Sequence, residues 1–341
     1  MKTFITTLLF VFVLTAGTCL AQNKMDKVLF NDTSVINATL AMNFKKILAD
    51  EQNMKEKFPA RFICKVADSL NINDPITLQV RGHFRREHCY LPPLKMVFKD
   101  HPNTTFFKLK SLKLVSSCML NDQDDQNLLK EYMCYKIYNL MTDKSFRVRL
   151  LNLTYADSGK KKPFTRHAFV IEDIKQVAKR NDCSDWSDKK SPTESTDRRQ
   201  MTMVAIFEYM IANTDWSVPV NHNTRLIHSK TDSLSRPYVV PYDFDFSGLV
   251  NTTYSAPDES LGIATVRDRI YRGFPRTMEE LNDVLAVFKQ QKDNVYAEIN
   301  NFNLFTPATK KEMTKYLDGF YTTINNPSKV KSTFITYARK Q

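Results

Sequence analysis

Glycine is scarce: seven residues in 341, about 2% of the chain where roughly 7% is usual. Neither a Walker loop nor a GxGxxG fingerprint can be written anywhere, which excludes the folds that cradle phosphate in such a loop. No CxxC pair occurs, which argues against a zinc site. Beyond the N-terminal leader no window approaches ~20 uninterrupted apolar residues, so the sequence predicts no membrane-spanning segment. Basic residues are scattered, with no run longer than Lys160-Lys161-Lys162, and zinc-finger and RNP patterns are missing. No nucleic-acid partner is expected. Internal repeats and low-complexity tracts are also lacking.

What is present is 42% apolar residues and 49 Lys+Arg against 37 Asp+Glu, enough for two packed lobes. Residues 1–21 read as a cleaved secretory signal: Lys2, an apolar run over 4–14, then small residues ending Cys19-Leu20-Ala21. The expected cut follows Ala21. A lipid-anchored Cys19 is the rival, but Thr18 and Ala16 fit that processing pattern poorly. Losing Lys2 leaves a net charge of (49 − 1) − 37 = +11, which favours an acidic partner. Five cysteines remain, Cys64, Cys89, Cys118, Cys134 and Cys183. An odd count in an oxidising compartment leaves one thiol free; Cys89 and Cys118, flanking strand-like segments, are the candidates for a bridge.

Strand signals over 61–66, 76–81, 94–98 and 106–115 suggest a meandering antiparallel sheet. Helical spacing follows over 128–140, with Leu129, Met133, Ile137 and Leu140 on one face and Asn127 or Asp125 as N-cap. Strands over 146–155 and 166–172 come next, then a polar stretch at 181–197 that reads as a linker. Helical periodicity fills 198–212, 277–302 and 307–324. The expected organisation is a signal at 1–21, a β-rich lobe at 22–180, a linker at 181–197 and a helical lobe at 198–341.

One constellation concentrates chemistry: Asn213-Thr214-Asp215-Trp216, then Asn221-His222-Asn223, then the run from Pro241 to Gly248 containing Asp243-Phe244-Asp245. In the preceding helix Met203, Ile206, Phe207, Met210 and Ile211 face a core, so Asp215 emerges on a loop at its C-terminal end. Read as a strand, 238–246 puts Asp243 and Asp245 on one face. Adjacent carboxylates repel unless a cation or a shared proton intervenes, and oxygen ligands with a side-chain amide suit Mg²⁺ or Mn²⁺ holding phosphate. Asp215 is then free to accept a hydroxyl proton. His222 reads as a supporting histidine rather than a metal ligand.

This arrangement resembles the CotH-type atypical kinases, and less closely the HipA-type kinases. The resemblance implies a two-lobed, kinase-like α+β fold, with a β-rich N-lobe carrying one helix and a mainly helical C-lobe. It also implies that Asp215 is catalytic, that Asn223 or Asn221 is the amide ligand, and that Asp243 or Asp245 is the magnesium ligand. The step from Asp215 to Asn223 is longer than the usual kinase spacing, which leaves the choice of asparagine open. Weaker matches lie at Val80-Arg81-Gly82 with 92–98, where His83-Phe84 replaces the family's Asn-Ser, and at 167–173, similar to the strand joining the lobes. A cation for the phosphates points to Lys95 or Lys113 with Glu131 as partner, although Glu131 projects away from the apolar helix face and reads as a solvated charge. Arg267, Arg269 and Arg272 could hold an acidic substrate or form ion pairs with Asp268, Glu279 and Glu280.

The leading expectation is a secreted or periplasmic kinase. It binds the nucleotide ATP with Mg²⁺ or Mn²⁺ and transfers the γ-phosphoryl group to Ser or Thr of an acidic or Ser/Thr-rich secreted protein. The alternative is a non-catalytic envelope or assembly protein that binds a cation or nucleotide without turnover. A metal-dependent glycosyltransferase using Asp243-Phe244-Asp245 would need a parallel βαβ domain ahead of that motif, where the sequence shows a meander instead.

Overall fold

The computed structural model describes residues 29–49, 56–67, 70–82, 84–102, 104–159 and 162–340. The leader with its cut after Ala21, Cys19 and His83 lie outside these residues. The chain forms two compact units. One takes the described residues up to Ser116 together with Arg149–Asp173; the other takes Ser117–Val148 and the described residues from Ile174 onward.

The first unit is a closed barrel of seven strands: β1 (Ile36–Met42), β2 (Phe58–Ala67), β3 (Leu70–Val80), β4 (Leu94–Val97), β5 (Ser111–Ser116), β6 (Val148–Asp157) and β7 (Phe164–Ile171), in the order β1-β2-β3-β4-β5-β7-β6. From β1 to β5 it is an antiparallel meander. Alternation drives it: in β1 the buried positions Ile36, Ala38, Leu40 and Met42 alternate with more open ones, so one face is a continuous apolar surface that must be covered. Leu40, Leu78, Leu114, Leu153 and Phe169 are fully buried in the barrel unit.

Closure corrects the expected two-lobed kinase-like fold. An open meander would leave β1 as an edge, but β1 pairs in parallel with β6 from Ile36↔Leu151 to Met42↔Asp157. A closed sheet has no edges to protect. The helix expected to accompany these strands, α1 (Asp122–Met141), belongs to the second unit.

That second unit combines helices with a three-stranded antiparallel sheet, β10-β9-β8, made of β8 (Cys183–Asp185), β9 (Thr224–Ser229) and β10 (Tyr238–Pro241). Helices of eight residues or more are α1, α2 (Arg198–Ile211), α3 (Met278–Gln290), α4 (Lys292–Asn300) and α5 (Pro307–Ile324). The stretch 181–197 carries β8 and a 3-10 turn at Thr193–Ser195.

α1 starts a full turn before the residues read as its cap: Asn121 accepts a hydrogen bond from the Asp124 amide, and three aspartates fill the first turn, favourable at a helix N-terminus. It is buried nearly all round. Leu129, Met133, Cys134 and Ile137 are fully enclosed, and Glu131 is only 2% exposed, so the expectation that Glu131 is a solvated charge is corrected. A helix surrounded on all sides has no polar face on which to place it. Lys130, equally buried, reaches Glu312 at 2.8 Å. No described helix is long and apolar enough to cross a membrane. Cys89 and Cys118 are disulfide-bonded, while Cys64, Cys134 and Cys183 are buried free thiols.

Candidate functional site

Helix α2 supplies the platform. Its apolar residues Met203, Ile206, Phe207, Met210 and Ile211 are all buried, and it ends at Ala212 in the left-handed region, φ 52°. The last carbonyls would otherwise lack partners. Here the Leu249 amide donates to Ile211 O at 3.0 Å and the Gly248 amide donates to Ala212 O at 3.0 Å. Glycine at 248 is required on its other side, where a Cβ would sit 2.4 Å from Val266 O and 2.7 Å from Arg267 Cα. The turn after Asp245 is thereby clamped to the end of α2.

Asn213, 1% exposed, accepts a hydrogen bond from the Asp215 amide at 3.1 Å. This Asx turn points the next residues outward. Ser217 and His222 then exchange backbone hydrogen bonds of 2.9 Å, folding 217–222 into a tight hairpin that returns His222 and Asn223 to Asp215. His222 Nε2 lies 2.7 Å from Asp215 Oδ1. The Asn223 amide donates to Asp215 Oδ2 at 3.0 Å and to Asp215 O at 2.7 Å. Asn221 and Asn223 have φ of 54° and 51°, a conformation asparagine tolerates better than most side chains. Their backbone geometry therefore explains both asparagines independently of chemistry.

The two amides have different employment. Asn221 donates to Ser187 O at 3.2 Å and Lys189 O at 2.8 Å, tying the hairpin to the 181–197 stretch. The Asn223 side chain is committed to Asp215 through its nitrogen, and the Tyr242 amide donates to the Asn223 backbone carbonyl at 3.0 Å, placing Asp243 one residue further on.

Asp243 and Asp245 do not share a strand face. β10 stops at Pro241, and Asp243 adopts φ 68°, so the alternation that would align them is broken. The Asp243 amide donates to the Tyr135 hydroxyl at 2.8 Å rather than to a sheet carbonyl. Phe244 points into the core against Tyr135 and Phe207, with ring centroids 4.7 and 5.4 Å away. Asp245 is 5% exposed and accepts from the Tyr254 hydroxyl at 2.8 Å. Among the described residues no three His, Cys, Asp or Glu side chains converge as a metal-ligand set. Mg²⁺ needs only one or two protein ligands when phosphate and water supply the rest, and a side-chain amide can be one of them.

Lys95, Lys113 and Arg81 belong to the barrel unit. Lys95 and Lys113 stand opposite one another on β4 and β5, both half-buried. Arg81 donates through Nε to Leu94 O at 3.3 Å, and its amide to Pro93 O at 2.9 Å. Glu131 lies in the helical unit with the aspartates.

A pocket of about 360 Å³ opens beside Asp215 and His222, with Trp216, Phe246, Asp258 and Arg272 in its walls. Arg272 donates through Nη1 to Thr214 O, and its guanidinium lies 5.6 Å from the centre of the Trp216 ring. Behind the loop, Glu208 is 1% exposed. Burial pushes its carboxyl well above the usual range, opposed by the Asn213 amide, while the Asp215 charge raises it further. Sequence reading missed Glu208. The signal was present: a carboxylate inside a helix whose neighbours Phe207 and Tyr209 are core-forming must be buried with them.

No protein-family model matches the chain, and no curated protein matches it. The functional case therefore stands on the geometry around Asp215.

Proposed function

We propose that this chain is a phosphotransferase that moves the γ-phosphoryl group of ATP to a hydroxyl acceptor, with Asp215 as the catalytic carboxylate. The observation that carries this reading is the clamp on Asp215: His222 holds one oxygen and Asn223 the other, at the mouth of a pocket large enough for a side chain. A carboxylate so held is aimed before the acceptor arrives, and positioning is most of what phosphoryl transfer requires of a protein. When bound, Mg²⁺ or Mn²⁺ would neutralise phosphate charge. The Asn223 side-chain oxygen and the Asp243 carboxylate are the residues suited to hold it, with Asp245 drawn away toward Tyr254. Export through cleavage after Ala21, giving a secreted or periplasmic protein, belongs to the same reading.

A second reading is favoured by the same clamp: a carboxylate with both oxygens engaged can be a structural lock in a binding protein without turnover. Radiolabelled ATP with Mg²⁺ or Mn²⁺ separates the two. Transfer to a serine-bearing acceptor should fall roughly 100- to 10,000-fold in Asp215→Asn, and an Asn223→Ala variant should lose most of it. If the wild type transfers no label while ATP with metal still raises its melting temperature, the binding reading replaces the catalytic one.

A further inference from the structure

Three arginines follow the Asp243-Phe244-Asp245 turn, and the structure separates them. Arg267 pairs with Glu312 at 2.8 Å. Arg269 donates to Met210 O at 3.2 Å and to Tyr316 O at 2.8 Å. Arg272 alone of the three lines the pocket. It uses Nη1 on Thr214 O, and its Nε and Nη2 make no hydrogen bond with the described residues. Burial weakens its hold on its proton and a second guanidinium, Arg339, presses on it with like charge, opposed by Asp215, Asp258 and Glu208, whose charges do not reverse the direction. Neither arginine forms an ion pair among the described residues.

We infer that the Nε–Nη2 edge of Arg272 receives a carboxylate of the acceptor, so that the pocket selects a hydroxyl flanked by acidic side chains in an acidic peptide segment. This rests on the reading of Asp215 as the carboxylate that meets the hydroxyl. A guanidinium edge and a carboxylate match as parallel hydrogen-bond pairs, and a half-buried cation gains most from a partner because water screens it least. The acidic walls offset it only in part. Asp215 faces His222 at 2.7 Å. Asp258 is exposed and already accepts from the Ser260 amide and hydroxyl at 2.9 and 2.6 Å, so its field is largely screened. Thr214, whose carbonyl Arg272 holds, precedes Asp215, so the guanidinium is anchored to the loop that carries the catalytic carboxylate.

Binding and turnover are measured on the same protein. Trp216 lies under Arg272 and reports pocket occupancy by fluorescence once the only other tryptophan, which stacks on His228, is replaced by Trp186→Phe. The probes are a short serine peptide flanked by glutamates and the same peptide flanked by glutamines. The glutamate peptide should bind roughly ten-fold tighter. Arg272→Gln should erase the difference, and Arg272→Lys should keep part of it; melting curves show whether each variant is folded. Equal binding of the two peptides to the parent protein overturns the inference without reference to any variant. So does an Arg272→Gln variant that keeps the preference but transfers label to both peptides more slowly, since the arginine would then serve the phosphoryl group. Asp215→Asn should bind with the preference intact and transfer label roughly 100- to 10,000-fold more slowly. If it transfers label normally, the catalytic reading fails while the acidic-peptide site stands.

Discussion

At the scale of single residues, Glu208 and Gly248 carry the largest consequences for stability. Glu208 keeps its proton in the folded chain because burial disfavours the carboxylate. Below the ordinary value of 4.5 folded and unfolded chains are both protonated. As pH rises beyond it the unfolded chain ionises first, so stability falls until the folded pKa is passed, by up to ~1.4 kcal/mol for each pH unit. Glu208→Gln should remove that fall, which urea titrations between pH 4 and pH 8 would reveal as a flatter curve for the variant. At Gly248 the obstruction is backbone, Val266 O and Arg267 Cα, which cannot rotate away as a side chain can. Gly248→Ala should cost about 3 kcal/mol and weaken the clamp on the end of α2, visible as a lower melting temperature with loss of the turn that carries Asp245.

At the scale of elements, α3 begins with a capping box in which Thr277 accepts from the Glu280 amide and Glu280 accepts from the Thr277 amide at 2.8 Å. Glu280 also receives Arg198, at the start of α2, and these bonds hold its carboxyl down to about 2. Thr277→Ala should cost about 1 kcal/mol, read as a lower urea midpoint with an unchanged slope. Local signals of this kind were legible in the sequence. α5 runs over the residues its periodicity and Pro307 indicate, and the α2 core residues are those its spacing picks out. Where reading failed, a backbone event intervened. The 238–246 run alternates well enough for a strand, but Asp243 turns left-handed, and nothing in a pattern of apolar and polar residues encodes the sign of φ. Likewise the helix pattern over 128–140 picks out one apolar face and gives no hint that the opposite face is also covered, so the pattern alone puts Glu131 in water while the fold encloses it. The approach of His222 to Asp215 depends on the 217–222 hairpin; Pro219 and Asn221 mark a turn there, but no local pattern states that the returning chain lays His222 against Asp215.

At the scale of the whole molecule, three buried thiols divide between the units: Cys64 in the barrel, Cys134 and Cys183 in the helical unit. Burial pushes Cys64 up to about 12 and raises the other two, so none supplies thiolate at neutral pH. A thiol reagent should label none of them in the native protein. With rising urea, Cys134 and Cys183 should become reactive together, since both sit in one core, and Cys64 independently reports the barrel. Labelling of Cys183 well before Cys134 would show that the small sheet opens apart from α1. Barrel closure is the part of the architecture least visible beforehand. Asn37 and Asn152 face each other with their side chains 2.9 Å apart although 115 positions separate them, and no local pattern spans such a distance.

The same pairing dictates a calendar for synthesis. β1 to β5 leave the ribosome as a sheet with its first strand still uncovered, and α1 must follow before β6 and β7 exist to close it. Folding of the barrel therefore waits on chain that belongs to the other unit, and for that interval β1 is an exposed edge able to recruit strands from neighbouring nascent chains. A chaperone that holds the chain until residue 171 has emerged would matter more to this protein than to one whose sheet closes in chain order.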